Sequence, residues 1–346
     1  MKSKKEKVLP VAYPSITSWP WHAILFSILE TREETKPWIY SNYINLVGGM
    51  DDVVTSFDFS PNVIDYAICP WINAQLFSRE YLSKNHKNIK QFFIDAIDSG
   101  AYIFTIINTQ YAFRNIIGEN IGKYIHETMI YGYDVEKGKF NIADFTYRGK
   151  YSFEEVDMDC VVKGYLDVNV EEDYIAHRRE GVFLLKFNER AKYKFDLVLV
   201  KYNLKNYING KGLDCTTRTV ITDNSFMNTG LEEKTGISSY DLLFHYLTLV
   251  GAGSRAIDKR IPHVIFDHKE LMLKRLLFMI DEGFIENDEN IIYKMTKIRD
   301  LAMQNRNLLL KSMVASVPIK SDDIINKYMT LRDMEMDLYD LVLQQL

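Results

Sequence analysis

Cysteine is scarce in this chain: three in 346 residues, Cys69, Cys160 and Cys215, far apart and odd in number. That spacing excludes a disulfide framework and a cysteine-built zinc cluster, and it points to a reduced, cytoplasmic setting. Long apolar runs are also missing. None approaches the roughly 18 residues of a membrane span, so no membrane partner is expected. Positive charge is not in excess, with 42 Lys and Arg against 47 Asp and Glu and a net charge of -5. A nucleic-acid partner is therefore not expected. The basic start MKSKKEK leads into VLPVAYPSITSWP, which has no apolar h-region, and reads as a solvated tail and not a signal peptide. No phosphate-binding fingerprint occurs. Asn209 to Gly212 (NGKG) is too short and lacks a strand-to-helix context, so it reads as a turn. No nucleotide or other cofactor is called for, and internal repeats and low-complexity tracts are absent.

What is present is an ordinary globular composition, 47% hydrophobic and 26% charged, with length enough for two modest domains. The apolar spacing predicts helices over 20–31 and over 36–47, the second ended by Gly48-Gly49. Residues 50–68 read as loop with a short strand. A helix is expected just after Cys69-Pro70-Trp71, and an amphipathic one over 87–99 stopped by Gly100. Residues 101–107, AYIFTII, have the pattern of a central buried strand. Two further strands carry His126 and Asp144. A helix-like stretch over 153–165 and strands over 182–187 and 195–202 come next. Residues 203–235, rich in Asn, Gly, Thr and Lys, read as a linker or mobile loop. From residue 236 the pattern is helical, over 240–249, 269–282, 290–314 and 322–345. This is an α+β order: N-terminal helices packed on a mostly antiparallel sheet over 1–202, then a helical subdomain over 236–346.

The stretch from Tyr124 to Tyr151 carries the chemistry. One strand holds His126, a turn follows at Asp134 to Gly138, and the next strand delivers Asp144. Neighbouring strands bring such side chains together, and a carboxylate on one ring nitrogen orients and charges an imidazole. Cys69 is the candidate nucleophile, because a helix beginning just after it would lower the thiol pKa and offer backbone N–H groups. It reads equally as a small buried hydrophobe. Asn108 and Gln110, beyond the central strand, are candidate oxyanion donors. Cys160 and Cys215 sit in polar surroundings, and Ser15, Ser18 and His22 around the first helix are alternatives. His263 and His268 precede a helix that Asp267 would cap with Glu270, a reading preferred to a metal site.

The segment IHETMIYGYDVEKGKFNIADF resembles the histidine-to-aspartate strand pair of papain-like C39-type cysteine peptidases. PWIYSNYINLV, CPWINAQ and IPHVIFDHKELMLKRLLFM are similar to pieces of the butirosin-biosynthesis H-protein group, which joins a peptidase-like domain to a helical C-terminal region. The resemblance spans most of the chain. It implies a papain-like fold and antibiotic-type specialised-metabolite biosynthesis. The activity it implies is amide bond formation by an acyltransferase, as in closthioamide-type assembly: an acyl group moves from a carrier-protein thioester to a small amine through a cysteine acyl-enzyme. His126 matches the family's base and Asp144 its orienting residue. The family's nucleophile opens the first helix, where this chain has Trp21-His22, so Cys69 would take the role from the next helix or the site would be inactive. An inactive papain-like module that binds a metabolite or partner is the alternative, and a true peptidase ranks last. The acidic carrier protein would dock on a basic surface, for which Arg255, Lys259, Arg260, Lys269, Lys274 and Arg275 are candidates.

Overall fold

A computed structural model describes residues 5–52, 55–60, 66–113, 122–147, 149–169, 181–211, 232–286, 288–315 and 319–346. It is mixed helix and antiparallel sheet, the α+β class. The chain forms two compact units that it visits alternately. The first comprises residues 1–14, 20–33 and 66–192; the second comprises 15–19, 34–65 and 193–346. Division at residue 202 is therefore not what the structure gives. Residues 34–65 join the later helices because their strand pairs with one at 232–235.

In the first unit the strands are β1 (Glu6–Val8), β4 (Ile72–Phe77), β5 (Ala101–Asn108), β6 (Ile125–Asp134), β7 (Lys139–Tyr147), β8 (Lys150–Asp157) and β9 (Val182–Phe187). They make one antiparallel sheet in the order β4-β9-β5-β6-β7-β8, with β1 also on β6. All eight residues of β5 are buried, as a continuous apolar run in mid-sheet should be. Helix α1 (Pro20–Leu29) is buried at every position, and Ser27 on it meets the Tyr151 hydroxyl at 3.1 Å. Helices α3 (Arg79–Asn85), α4 (Ile89–Asp98), α5 (Thr109–Ala112) and α6 (Met158–Leu166) complete the unit. Phe93 of α4 packs edge-on against Phe140 and Tyr165, joining α4, β7 and α6. Gly100 ends α4 at φ 87°, where a side chain would be strained.

The second unit holds α2 (Lys36–Asn42), β2 (Asn45–Met50), β3 (Thr55–Ser60), α7 (Leu197–Ile208), β10 (Glu232–Thr235), α8 (Ser239–Gly251), α9 (Arg260–Asp281), α10 (Glu289–Ala315) and α11 (Ser321–Gln345). Its small sheet runs β10-β2-β3. A pair of opposite charges lies in its core. Lys269 Nζ is 2.8 Å from Glu335 Oε1, and both side chains are fully buried. Tyr207 and Tyr240 donate to the two Glu335 oxygens at 2.7 and 2.6 Å. His268 accepts from Lys269 at 2.8 Å and gives its other ring nitrogen's proton to Ile44 O at 2.7 Å.

Several elements differ from the sequence expectation, each for a local reason. The helix over 36–47 stops at Asn42, and Gly48-Gly49 lie inside β2. A Cβ on Gly48 would meet Phe57 at 3.2 Å and Leu242 at 3.3 Å, so that glycine serves close packing and not helix termination. After Cys69 comes strand β4, not a helix; the helix begins later, capped by Ser78, which accepts from Tyr81 N at 3.1 Å. Residues 153–165 divide into the end of β8 and α6, with Asp157 as the cap. Residues 195–202 belong to a helix because Asp196 accepts from Leu199 N at 2.9 Å and starts α7. The expected linker begins inside α7 and ends as β10. Most of it, 212–231 with Cys215 and Gly212, lies outside the described residues.

Candidate functional site

β6 and β7 form a hairpin whose turn is fixed by Asp134, which accepts from Lys137 N at 3.0 Å, and by Gly138 at φ 67°. A register shift between Ile130 and Gly132 separates that turn from the strand half that carries His126. Met129 pairs with Ala143, so Thr128 and Asp144 come next along the same hairpin. The expected contact forms: His126 Nδ1 lies 2.7 Å from Asp144 Oδ1. Phe145 N–H donates to the same oxygen at 2.5 Å, and the Thr128 hydroxyl donates to Asp144 Oδ2. The Asp144 side chain is fully buried and that of His126 is 12% exposed. With Nδ1 committed to Asp144, and to Glu127 O at 3.1 Å, the outer nitrogen Nε2 is the one left to act.

Electrostatics fix the charge of the ring. Burial opposes protonation, but the Asp144 carboxylate, through its charge and its hydrogen bond, outweighs burial with help from Glu127. The His126 pKa rises to about 9, so the ring is an imidazolium at neutral pH. Glu127 Oε2 stands 4.0 Å from Nε2. Tyr124 stacks on the ring with centroids 5.3 Å apart and planes at 21°, and Phe145 meets it edge-on at 5.9 Å.

Cys69 is not part of this group. It sits in a turn, its N–H donating to Tyr66 O at 3.1 Å and its carbonyl accepting from Ile72 N at 3.1 Å. Burial pushes its thiol up to about 12, although N–H groups of Trp71 and Ile72 pull the other way. The register places it far from the pair. Ile72 pairs with Phe187 and Ala101 with Lys186, whereas His126 pairs with Ile107. Ile72, whose N–H donates to Cys69 O, is thus about 20 Å along the strand direction and about 14 Å across three strand spacings from His126, and Cys69 turns into β4 at that far end. The expected thiol–imidazole contact and the helix N-terminus behind the thiol are both absent among the described residues.

No protein-family model matches the chain, and no curated protein matches it.

The remaining candidates have other work. Asn108 caps α5: its side-chain oxygen accepts from Gln110 N at 3.1 Å and Tyr124 N at 3.3 Å, and its amide donates to Asp167 at 2.8 Å. It is a positioning residue, holding the backbone two residues before His126, and not an oxyanion donor. Gln110 gives its backbone N–H to that cap and has no hydrogen bond to His126 or Asp144 among the described residues. Cys160 N–H donates to Asp157, the α6 cap; burial and that carboxylate raise its thiol pKa. His22 is buried beside Trp21, and Ser15 accepts from Lys274 at 2.5 Å.

Asp267 does not cap a helix. It lies inside α9 and accepts from the backbone N–H groups of Thr17 and Ser18, both at 2.8 Å. Burial raises it to about 7. His263 Nδ1 donates to Lys259 O within one helix turn at 2.8 Å. The basic docking surface dissolves: Lys269 and Arg275 are fully buried, Arg255 donates to Asp51 O at 2.6 Å, and Arg260 pairs with Asp258 at 2.5 Å. Among the described residues no three His, Cys, Asp or Glu side chains are grouped to hold a metal, and no helix is long and apolar enough to cross a membrane.

The residues that sequence reasoning missed are Tyr124, Glu127, Thr128 and Phe145. The signal for Thr128 was available: two residues after His126 on a strand, it must share the histidine's face.

Proposed function

We propose that the first unit is a papain-like module of specialised-metabolite assembly that works without a cysteine acyl-enzyme on Cys69. His126, held as an imidazolium by Asp144, donates from Nε2 to a carboxylate or carbonyl oxygen of an acyl intermediate. One observation carries this reading: the His–Asp pair is fully built, with three donors on Asp144, while the cysteine meant to use it lies at the other end of the sheet. A ring with a pKa of about 9 is a poor general base at neutral pH and a good hydrogen-bond donor. Stacking on Tyr124 gives the ring a fixed orientation and leaves an aromatic edge for an apolar substituent. The α1 helix, the antiparallel sheet and the family-like segment around His126 support the papain-like assignment.

A second reading is favoured by the Asp144 geometry itself. The orienting bonds from Thr128 and Phe145 are those a base in acyl transfer requires. In that reading the enzyme forms an amide from a carrier-bound thioester and an amine, with a nucleophile other than Cys69.

The test is a titration of the full chain, followed by the imidazole NMR signals and by intact mass. N-acyl cysteamine thioesters and the matching carboxylates serve as ligands. A saturable shift of the His126 signals with no added mass is expected. An acyl adduct mapped to Cys69 would overturn the non-covalent reading, and no shift of His126 with any ligand would remove His126 from recognition.

A further inference from the structure

We propose that residues 15–19 form a pH-responsive strap, which Asp267 holds on α9 as a neutral carboxylic acid and slackens as it ionises. This device lies wholly within the second unit and does not depend on the His126 reading. Pro14 and Pro20, on either side of the strap, belong to the first unit, so it sits where the chain crosses over and back. α9 takes it along one stripe. Arg260, Asp267 and Lys274 follow one another at seven-residue intervals, two helix turns each, and so share one face. The Arg260 guanidinium lies over the Trp19 ring at 4.6 Å. Asp267 accepts from Thr17 and Ser18 N–H, both at 2.8 Å, and Lys274 donates to Ser15 Oγ at 2.5 Å. The strap therefore runs antiparallel to the helix. Trp19 adds a bond from Nε1 to Phe57 O at 2.8 Å.

The middle contact differs from the outer two. Asp267 is buried, yet it forms no ion pair among the described residues. Both N–H groups go to one oxygen, Oδ2. The buried Ser18 hydroxyl adjoins the same carboxyl and has no other partner among the described residues. A proton on Oδ1, with Ser18 Oγ as its acceptor, completes that arrangement. Glu335, the buried carboxylate elsewhere in this unit, has Lys269 at 2.8 Å instead. A buried carboxyl without a cation takes up a proton. The groups around Asp267 do not reverse this. Arg306 of α10 favours the ionised form, but it stacks over Phe266 at 4.1 Å and donates to Asn307. Tyr328 of α11 and Tyr246 of α8 are raised by burial and stay neutral. On β3, Asp58 accepts from Phe59 N at 2.7 Å. On α9 itself, burial holds His263 below its ordinary pKa, and Glu270 pairs with Arg299 at 3.0 Å. Burial outweighs the Thr17 and Ser18 bonds and brings Asp267 to about 7, above its ordinary 3.8. The strap is therefore tightest below 3.8, weakens as pH rises to about 7 and levels off above that.

Hydrogen exchange of the full chain, read by NMR as protection factors of the Thr17 and Ser18 amides, decides it. Protection should fall more than about tenfold between about pH 5 and 7, and only about twofold from 7 to 8. The core amides of α10, Ile298 and Ala302, should change much less. Asp267→Asn offers one oxygen to the N–H groups and an amide donor to Ser18 at every pH, so it should flatten the profile. Lys274→Met should lower protection at every pH and leave the slope as it is, which assigns the slope to Asp267. In the unaltered protein the Asp267 carboxyl carbon should titrate near 7, a reading that needs no variant. Protection that does not fall with pH, a fall shared equally by α10, an unchanged profile in Asp267→Asn, or a carboxyl that titrates at its ordinary value would each overturn the proposal.

Discussion

Two buried pairs of opposite charge, one in each unit, differ in what can reach them. In the second unit Lys269 and Glu335 are sealed. Both charges and the histidine beside them are partnered inside the protein: Tyr207 and Tyr240 donate to Glu335, His268 accepts from Lys269, and Ile44 O accepts from His268. Burial and the Lys269 charge hold His268 well below its ordinary pKa, so the ring is neutral and bridges Lys269 to the backbone. In the first unit Asp144 is sealed but His126 keeps an exposed edge. A closed network has nothing left to offer a ligand and serves to fix one packing. A pair with one open nitrogen can change partners, and that is what a binding or catalytic group must do.

The comparison breaks most visibly at Glu335. Glu335→Gln leaves the Lys269 ammonium buried without a counter-charge, and a loss of about 3–5 kcal/mol is expected in urea unfolding. Glu335→Leu with Lys269→Met should cost clearly less than the sum of the single changes, because it removes both charges together. Next in size is Asp144→Asn. The fold should survive, while the His126 pKa, followed by NMR, falls by more than a unit toward its ordinary 6.5. A His126 pKa that stays near 9 in that variant would mean Asp144 is not what charges the ring.

A smaller effect sharpens the contrast through pH. The folded His126 pKa, about 9, lies above the unfolded value near 6.5. Its stabilisation is complete below 6.5 and is lost as pH rises through 9. Unfolding free energy should therefore decline between those limits, and His126→Gln should flatten that decline. The smallest effect is at Cys69: burial should keep it unreactive toward iodoacetamide at pH 8 in the native protein, with Cys160 modified before it.

Reading the sequence located His126 and Asp144 because both elements of that inference are local. A polar turn between two β-prone runs sets a hairpin, and the hairpin sets which side chains meet. It also found β5, α4 and the C-terminal helices α8, α10 and α11, whose periodicity is long and regular, but began α9 nine residues late, at 269, by taking Asp267 for a cap. The expectation for Cys69 failed because it rested on the conformation of the segment just after it. Ile72–Phe77 is apolar enough for helix or strand, and only pairing with β9, more than a hundred residues later, decides for strand. Residues 195–202 misled in a similar way, since the Val-Leu-rich run masks the cap at Asp196. The basic cluster misled because sequence counts charges without showing where they point. Lys269 and Arg275 face inward on α9, where Glu335 pairs with one and the carbonyls of Tyr40 and Tyr43 take the other.

The alternating path of the chain has a consequence for synthesis. Strand β2 leaves the ribosome early, yet its partner β10 comes roughly 180 residues afterwards. At the usual elongation rates of about 5–20 residues per second, one side of β2 waits on the order of 10–40 s for that partner. During this interval the first unit can finish, since its last segment ends at residue 192. The second unit cannot close until α11, the final helix, supplies Glu335 to Lys269. A chain cut short near residue 202 would thus release a completed sheet attached to an unpaired strand edge, a natural target for holding chaperones.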